Sequence, residues 1–452
     1  MSLEKKENVI NICISPTKPP VAEKLPVTKT FWNINKEMLR FKIHFFLFLG
    51  GLAAGVPYVI VLAKNRIGIS ASSLGVVLTG QMFLFIFTKP IIGYLADYYN
   101  KLKEIISVLI DETLSPTPVT ELECISCDFL KQTRETPSFR KKDYQTYQFW
   151  LFSMLDTISA ICLSGIFTLS DTACFESIQK HRGDFGKQRL WGNIGWGFVA
   201  LLAGFLNDYT NDFLAAYVLM GILLSLFLWN ISKIDLVKPH YSKNILKDVG
   251  TVLRSREFLF FEVVIFCNGI GTGIIWYYLI WFLNSIGGSE LLIGLSLTVQ
   301  SIVGGIPFMF FSGWFIRKFG HFNLLVVSMA AYGIRFLWCS YLQNPWWILP
   351  VEFLHGINYG LYYTVLGSYA KLSAKPGTEA TTQAILSSTH EGLGAGFGCV
   401  LSGMGFDYFG GRQTFFYLSI FCMCAVFNGI VFSAYLQTRK GEAKFTSPNE
   451  KS

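Results

Sequence analysis

The chain has 452 residues, of which 52% belong to the set A, V, I, L, M, F, W, Y and C, 41 are glycine and only 15% are charged. A soluble chain of this size carries about a quarter charged residues, whereas here the charges cluster between apolar runs of about 20 residues, so lipid is the solvent for most of the chain. That excludes a disordered chain, a disulfide scaffold and a cytosolic enzyme, and the net charge of +8 sits in short connectors, where it signals topology and not nucleic-acid binding.

The first segment, 1–40, is a polar tail with Pro16, Pro19, Pro20 and Pro26 and seven Lys or Arg. It has no cleavable signal-peptide pattern. Eleven apolar spans follow, at about 41–63, 72–96, 147–170, 191–206, 213–231, 258–283, 291–315, 323–342, 346–370, 381–404 and 415–436. Unpaired backbone is not tolerated in hydrocarbon, so the spans are helices and the fold class is an all-α membrane protein. Cys162, Cys174, Cys267, Cys339, Cys399, Cys422 and Cys424 lie in or beside these runs and read as small apolar residues.

Loop charge sets the orientation. After residue 170, the connectors 177–190, 232–257, 316–322, 370–380 and 437–452 together hold 18 Lys or Arg, against Arg412 alone in the alternate connectors. The first set is cytoplasmic by the positive-inside rule, which places both termini in the cytoplasm. Two cytoplasmic ends require an even number of crossings. Parity puts the missing one between residues 97 and 147, where the only apolar material, Ile105–Ile110, is far too short to cross. Ser115–Tyr144 mixes both charge signs with three prolines and reads as a loop. Its Cys124-Ile125-Ser126-Cys127 has no nearby His to complete a metal site, so no metal or cofactor is expected.

Segment 232–257 divides the spans into an N-terminal bundle, 41–231, with a degenerate stretch at 97–146, and a C-terminal bundle, 258–436, followed by a tail, 437–452. Gly93-Tyr94-Leu95-Ala96-Asp97-Tyr98-Tyr99-Asn100-Lys101 in the first set is echoed 220 residues later by Gly313-Trp314-Phe315-Ile316-Arg317-Lys318-Phe319-Gly320-His321. These nonapeptides resemble the cytoplasmic-turn signature of the major facilitator superfamily, with Tyr98, Asn100 and Arg317 departing from its usual pattern. Lys187-Gln188-Arg189-Leu190-Trp191-Gly192-Asn193 looks like the opening of the fifth helix in the proteins called major facilitator superfamily domain-containing protein 6, a branch similar to nucleoside and lactose permeases. Glu352-Phe353-Leu354-His355-Gly356 and His390-Glu391-Gly392-Leu393-Gly394 also look like that family. The resemblance implies two pseudo-symmetric six-helix bundles, twelve helices in all. The third is the one absent here, as in a splice form or an incomplete gene model, which sequencing the transcript across codons 97–147 would test.

An ionisable side chain within a span marks function or a buried pair. Glu352 and His355, spaced i, i+3, are expected to share a helix face with Tyr359 and Tyr362 and to carry protons, or to hold one another structurally. Arg335, in the preceding antiparallel helix, matches Glu352 in depth or snorkels to the surface. His390 and Glu391 point about 100° apart, so one of them, Glu391, faces a cavity. Asn268 on its glycine-rich stretch is a further cavity residue. Lys89 is deep enough to pair with Asp171 as a structural lock. Asp97 is expected to gate by binding Lys101 or the N-terminus of a helix from the other half. Gly93, Arg189, Trp191 and Gly192 belong to the resembled signatures and are structural.

The expected function is proton-coupled secondary transport of a small polar solute by alternating access, without enzymatic chemistry. Its partners are the solute, protons and the lipid bilayer, with no nucleic acid. Its expected location is the plasma membrane or an intracellular membrane, with both termini cytoplasmic. The alternative is a non-transporting receptor or scaffold of the same fold, using the loop 111–146 as its binding surface.

Overall fold

The computed structural model describes residues 36–99, 143–181, 185–234, 256–373 and 379–445. Among them the chain forms eleven helical rods. In the first half these are α1 (Lys36–Leu62, continued by a π turn, Ala63–Ile67), α2 (Ala71–Tyr99), α3 (Tyr147–His181), α4 (Phe185–Thr210) and α5 (Leu214–Ser232). In the second half, α6 runs through Arg256–Gly273, a π segment Ile274–Tyr278 and Leu279–Ser285, and α7 through Glu290–Thr298, a π segment Val299–Gly305 and Ile306–Phe319. Next come α8 (His321–Tyr341) and α9, which starts at Leu349–Glu352 after a 3-10 turn Pro345–Ile348, passes a π segment Gly356–Leu361 and ends in Tyr362–Ser373. The last are α10 (Glu379–Ser387, a π segment Ser388–Gly394, Ala395–Tyr408) and α11 (Gly411–Phe445).

Nine of these rods are long and apolar enough to cross a membrane. The other two, α9 and α10, are divided by π segments and carry Glu352, His355, His390 and Glu391. Two expected bounds change. The short span 191–206 is the middle of the longer α4, whose ends are polar yet helical, and the span ending near 436 runs on as helix to Phe445.

The backbone of Ser70, at the start of α2, donates to Asp143 Oδ2 at 2.8 Å. The beginning of α3 therefore lies at the face where α2 begins, while α2 itself, about 43 Å long, ends at the other face. The missing crossing expected between 97 and 147 falls on residues 100–142, outside the described residues, as does the Cys124–Cys127 pair. Following the rods from there returns the end of α11 to the face where α1 starts, which we term the terminal face.

Within the first half α1 packs on α4 and α5, and α2 on α3; within the second, α8 packs on α11, α6 on α10, and α7 on α9. Two seams join the halves, α2 against α10 and α4 against α7. Glycine permits both. A Cβ on Gly294 would meet the Ala200 carbonyl and the Gly204 backbone, and one on Gly75 would lie 2.7 Å from both the Cys399 carbonyl and the Tyr278 hydroxyl. The glycines of α10 divide their work: Gly394 and Gly398 face the backbone of α6, whereas Gly392 and Gly396 face Ile86, Met82 and Thr79 of α2. Contact along both seams starts at the face opposite the termini, and α4 still meets α7 at Asn193, whose Nδ2 lies 3.0 Å from Met309 Sδ. Toward the terminal face Phe87, Phe310 and Trp314 are exposed.

Candidate functional site

A tight connection brings α8 and α9 side by side. Asn344 Oδ1 accepts the amide of Trp346 at 3.0 Å, and Trp338 Nε1 donates to the Trp347 carbonyl at 2.7 Å, fixing the end of one helix to the start of the next. Arg335 thereby reaches Glu352: its Nη2 donates to Oε2 at 2.6 Å, and the two side chains are 1% and 0% exposed. Its Nη1 lies 3.3 Å from His355 Nδ1. A guanidinium only donates, so Nδ1 accepts and the ring proton resides on Nε2. Gln300 of α7 also reaches the Glu352 carboxylate. Arg335 thus stands between the acid and the imidazole, where the sequence allowed a direct bond between the two. Removing one partner of such a buried pair strands the other charge at a cost of about 3–5 kcal/mol.

From His355 a ladder of rings continues along α9. His355 stacks on Tyr359 at 5.5 Å between centroids and 9° between planes, and Tyr359 lies 4.7 Å from Tyr363. Tyr363 donates to Glu391 Oε1 at 2.7 Å and meets His390 edge-on at 5.6 Å. His390 is buried, with Nε2 2.9 Å from Thr272 Oγ1, which in turn lies 2.7 Å from the Tyr332 hydroxyl.

Two expectations fail here for one reason. Tyr362, expected beside Glu352 and His355, turns instead to the buried side, 4.5 Å from the His390 ring. His390 and Glu391, expected to serve different surroundings, both meet Tyr363. The 100° step of an α-helix does not hold through the π segments Gly356–Leu361 and Ser388–Gly394, where each turn takes up an extra residue.

The first half reaches this group through α4. Arg189 Nη1 donates to both carboxylate oxygens of Asp171 of α3, and Arg189 hydrogen-bonds Tyr359 across the interface, with its guanidinium 5.0 Å from the Phe167 ring. Asp171 therefore has Arg189 as its cation. Lys89, Gly93 and Asp97 lie on α2, and their surroundings fall outside the described residues. Asn268 lines no open space: it is wholly buried, and its Nδ2 donates to Val264 O at 3.0 Å, one turn back on its own helix. Trp191 is exposed, with Lys42 Nζ 5.9 Å from its ring centroid, whereas Gly192 packs against Leu49 of α1. Sequence reasoning missed Asp156 as a site residue; its Oδ2 accepts from Gln81 Nε2 at 2.6 Å, joining α3 to α2. Asp156 and Glu391, from opposite halves, both lie within electrostatic range of Tyr277. A lone acid in the middle of an apolar run was the available signal.

Residues 38–417 match the profile of the MFS_1 like family. The chain belongs to that family. An uncharacterised transporter of Bacillus subtilis, YwbF, is 25% identical over 387 residues, covering 85% of this chain and 88% of that one. A maltose permease of Geobacillus stearothermophilus is 24% identical over 82% of this chain and 88% of its own length. The Xenopus laevis major facilitator superfamily domain-containing protein 6-like protein B is 25% identical over 48% of this chain and 37% of its own. Among solved structures, the nucleoside transporter NupG superposes with a TM-score of 0.67 at 14% identity, covering 88% of this chain and 99% of that one. Family and fold together make this chain a multi-pass membrane protein of the major facilitator superfamily.

Proposed function

We propose that the protein is a proton-coupled secondary transporter of a small polar solute, of the sugar or nucleoside kind. Membership of the superfamily supports membrane secondary transport, and a maltose permease and a nucleoside transporter among the similar proteins support the solute class. The observation that carries proton coupling is the buried Arg335–Glu352–His355 group. Its acid is neutralised by one guanidinium, and that guanidinium also contacts an imidazole able to exchange a proton. A proton arriving on Glu352 would release Arg335 toward His355 and the ring ladder. Through Tyr359 the change reaches Arg189 of the other half, so protonation and the relation between the halves are linked.

The two bundles, 41–231 and 258–436, rock about this group, with the basic terminal face in the cytoplasm. Purified protein in proteoliposomes, screened with labelled sugars and nucleosides, tests the reading. Glu352→Gln is expected to abolish accumulation driven by an imposed pH gradient and to retain solute exchange at equal concentrations. Gradient-driven uptake by that variant equal to the parent's would remove the proton assignment.

A further inference from the structure

At the face opposite the termini, two aspartates occupy matching places. Asp208, at the end of α4, accepts the amides of Glu290 and Leu291 on its two carboxylate oxygens, both at 3.0 Å. These are the first amides of α7. Asp407, at the end of α10, accepts the amide of Ser72, in the first turn of α2, at 2.8 Å. The opening amides of a helix lack partners within it and carry the positive end of its dipole, so a carboxylate there is held by both effects. Each aspartate belongs to one half of the chain and caps a helix of the other.

The arrangement is written twice in the sequence. Gly204 precedes Asp208-Tyr209 and Gly403 precedes Asp407-Tyr408 by the same four residues. A Cβ on Gly204 would lie 2.6 Å from the Glu290 carbonyl, and one on Gly403 2.6 Å from that of Ala71, so the glycine admits the partner helix and the aspartate one turn on caps it. Tyr58 and Tyr278, 220 residues apart, flank the two sites. The Tyr278 hydroxyl donates to Ala71 O at 2.8 Å, and the Tyr58 hydroxyl lies 3.1 Å from the position of a Gly204 Cβ. Between the sites Lys64 Nζ donates to Asn284 Oδ1 at 2.9 Å and to Trp281 O at 3.2 Å, and Lys64 and Asn284 are themselves 220 residues apart. Duplicated positions that touch one another lie on the pseudo-twofold axis.

We propose that Asp208 and Asp407 form a paired latch, each capping a helix of the opposite half, that holds this face shut and must release at both sites together for it to open. The latch is independent of which solute is carried and of whether Glu352 takes a proton. A rigid half cannot swing away while one cap stays made, so opening breaks both, and loss of either cap lowers the cost of the opening that exposes the other.

Hydrogen exchange on the full-length protein in nanodiscs tests this coupling. Asp407→Ala should raise exchange at the start of α7, the remote site, about five-fold, and Asp208→Ala should do the same at the start of α2, the change expected when one capping acceptor is lost. Asp212→Ala, which removes a 3.6 Å ion pair to Arg66 within the first half, should leave both unchanged. If either alanine variant fails to fold, the Asn variants are expected to show the same remote pattern at smaller size. Exchange raised only at the helix whose own cap was removed would overturn the proposal.

Discussion

The Arg335–Glu352 pair makes a quantitative prediction. Glu352→Ala leaves a guanidinium, 1% exposed, with the Nδ1 of His355 at 3.3 Å as its remaining acceptor among those described. A buried charge stripped of its counter-ion costs about 3–5 kcal/mol. Removing both charges with Arg335→Met and Glu352→Leu takes away the desolvation of each group together with their attraction, and is expected to fall within about 1 kcal/mol of the parent or to exceed it. Cys162, Cys174, Cys339, Cys399 and Cys422 are buried, so a thiol-reactive dye in detergent reports their exposure as the helices separate on heating. The single variant should unfold well below the parent and the double variant close to it, although both should have lost pH-driven transport. If the double variant is destabilised by the sum of its two single variants, the pair is not a coupled unit and the reasoning fails.

Tyr363→Phe removes the 2.7 Å hydrogen bond to Glu391 and keeps the ring beside His390. A hydrogen bond to a carboxylate contributes about 1.5–3 kcal/mol to stability, so the variant should melt below the parent by a loss of that order, and its initial transport rate should fall as well. Gly269→Ala places a methyl 2.8 Å from Gly394 Cα and against the His390 carbonyl, so the α6–α10 seam must part and stability should fall by about 1–3 kcal/mol. Gly80→Ala meets nothing within 4 Å and should be neutral or stabilising in the same melt. Equal melting of these two variants would show that the seam has slack.

Much of the architecture was legible because lipid tolerates few irregularities. The eleven spans came from apolar length and each has its rod among the described residues, while the further crossing expected between 97 and 147 from loop charge falls outside them. Arg335, Glu352 and His355 stood out because charge is rare at that depth, and counting rises along two antiparallel helices matched the first two. The ends of α4 were lost because Lys187, Arg189, Asn207 and Asp208 look like connector residues. Arg189 instead extends the helix toward Asp171, and Asp208 is polar because it serves a helix far away in the chain. Facing directions failed where the backbone left α geometry, so Tyr362 and the His390–Glu391 pair were misplaced. Asp156 escaped because its partner, Gln81, is neutral and leaves no charge pattern to match.

The π segments have a consequence for how the molecule deforms. Four interrupt the rods of the second half, Ile274–Tyr278, Val299–Gly305, Gly356–Leu361 and Ser388–Gly394, whereas the described rods of the first half carry Ala63–Ile67 alone, at a helix end. A π turn holds one residue more than an α turn, and passing that residue along the helix rotates the stretch it passes over by about 100° without breaking the rod. Elasticity is therefore unevenly shared. Among the described rods the first half is uninterrupted but for that turn, whereas α6, α7, α9 and α10 each hold a spare residue along their length, and those of α9 and α10 include Tyr359 and the His390–Glu391 pair.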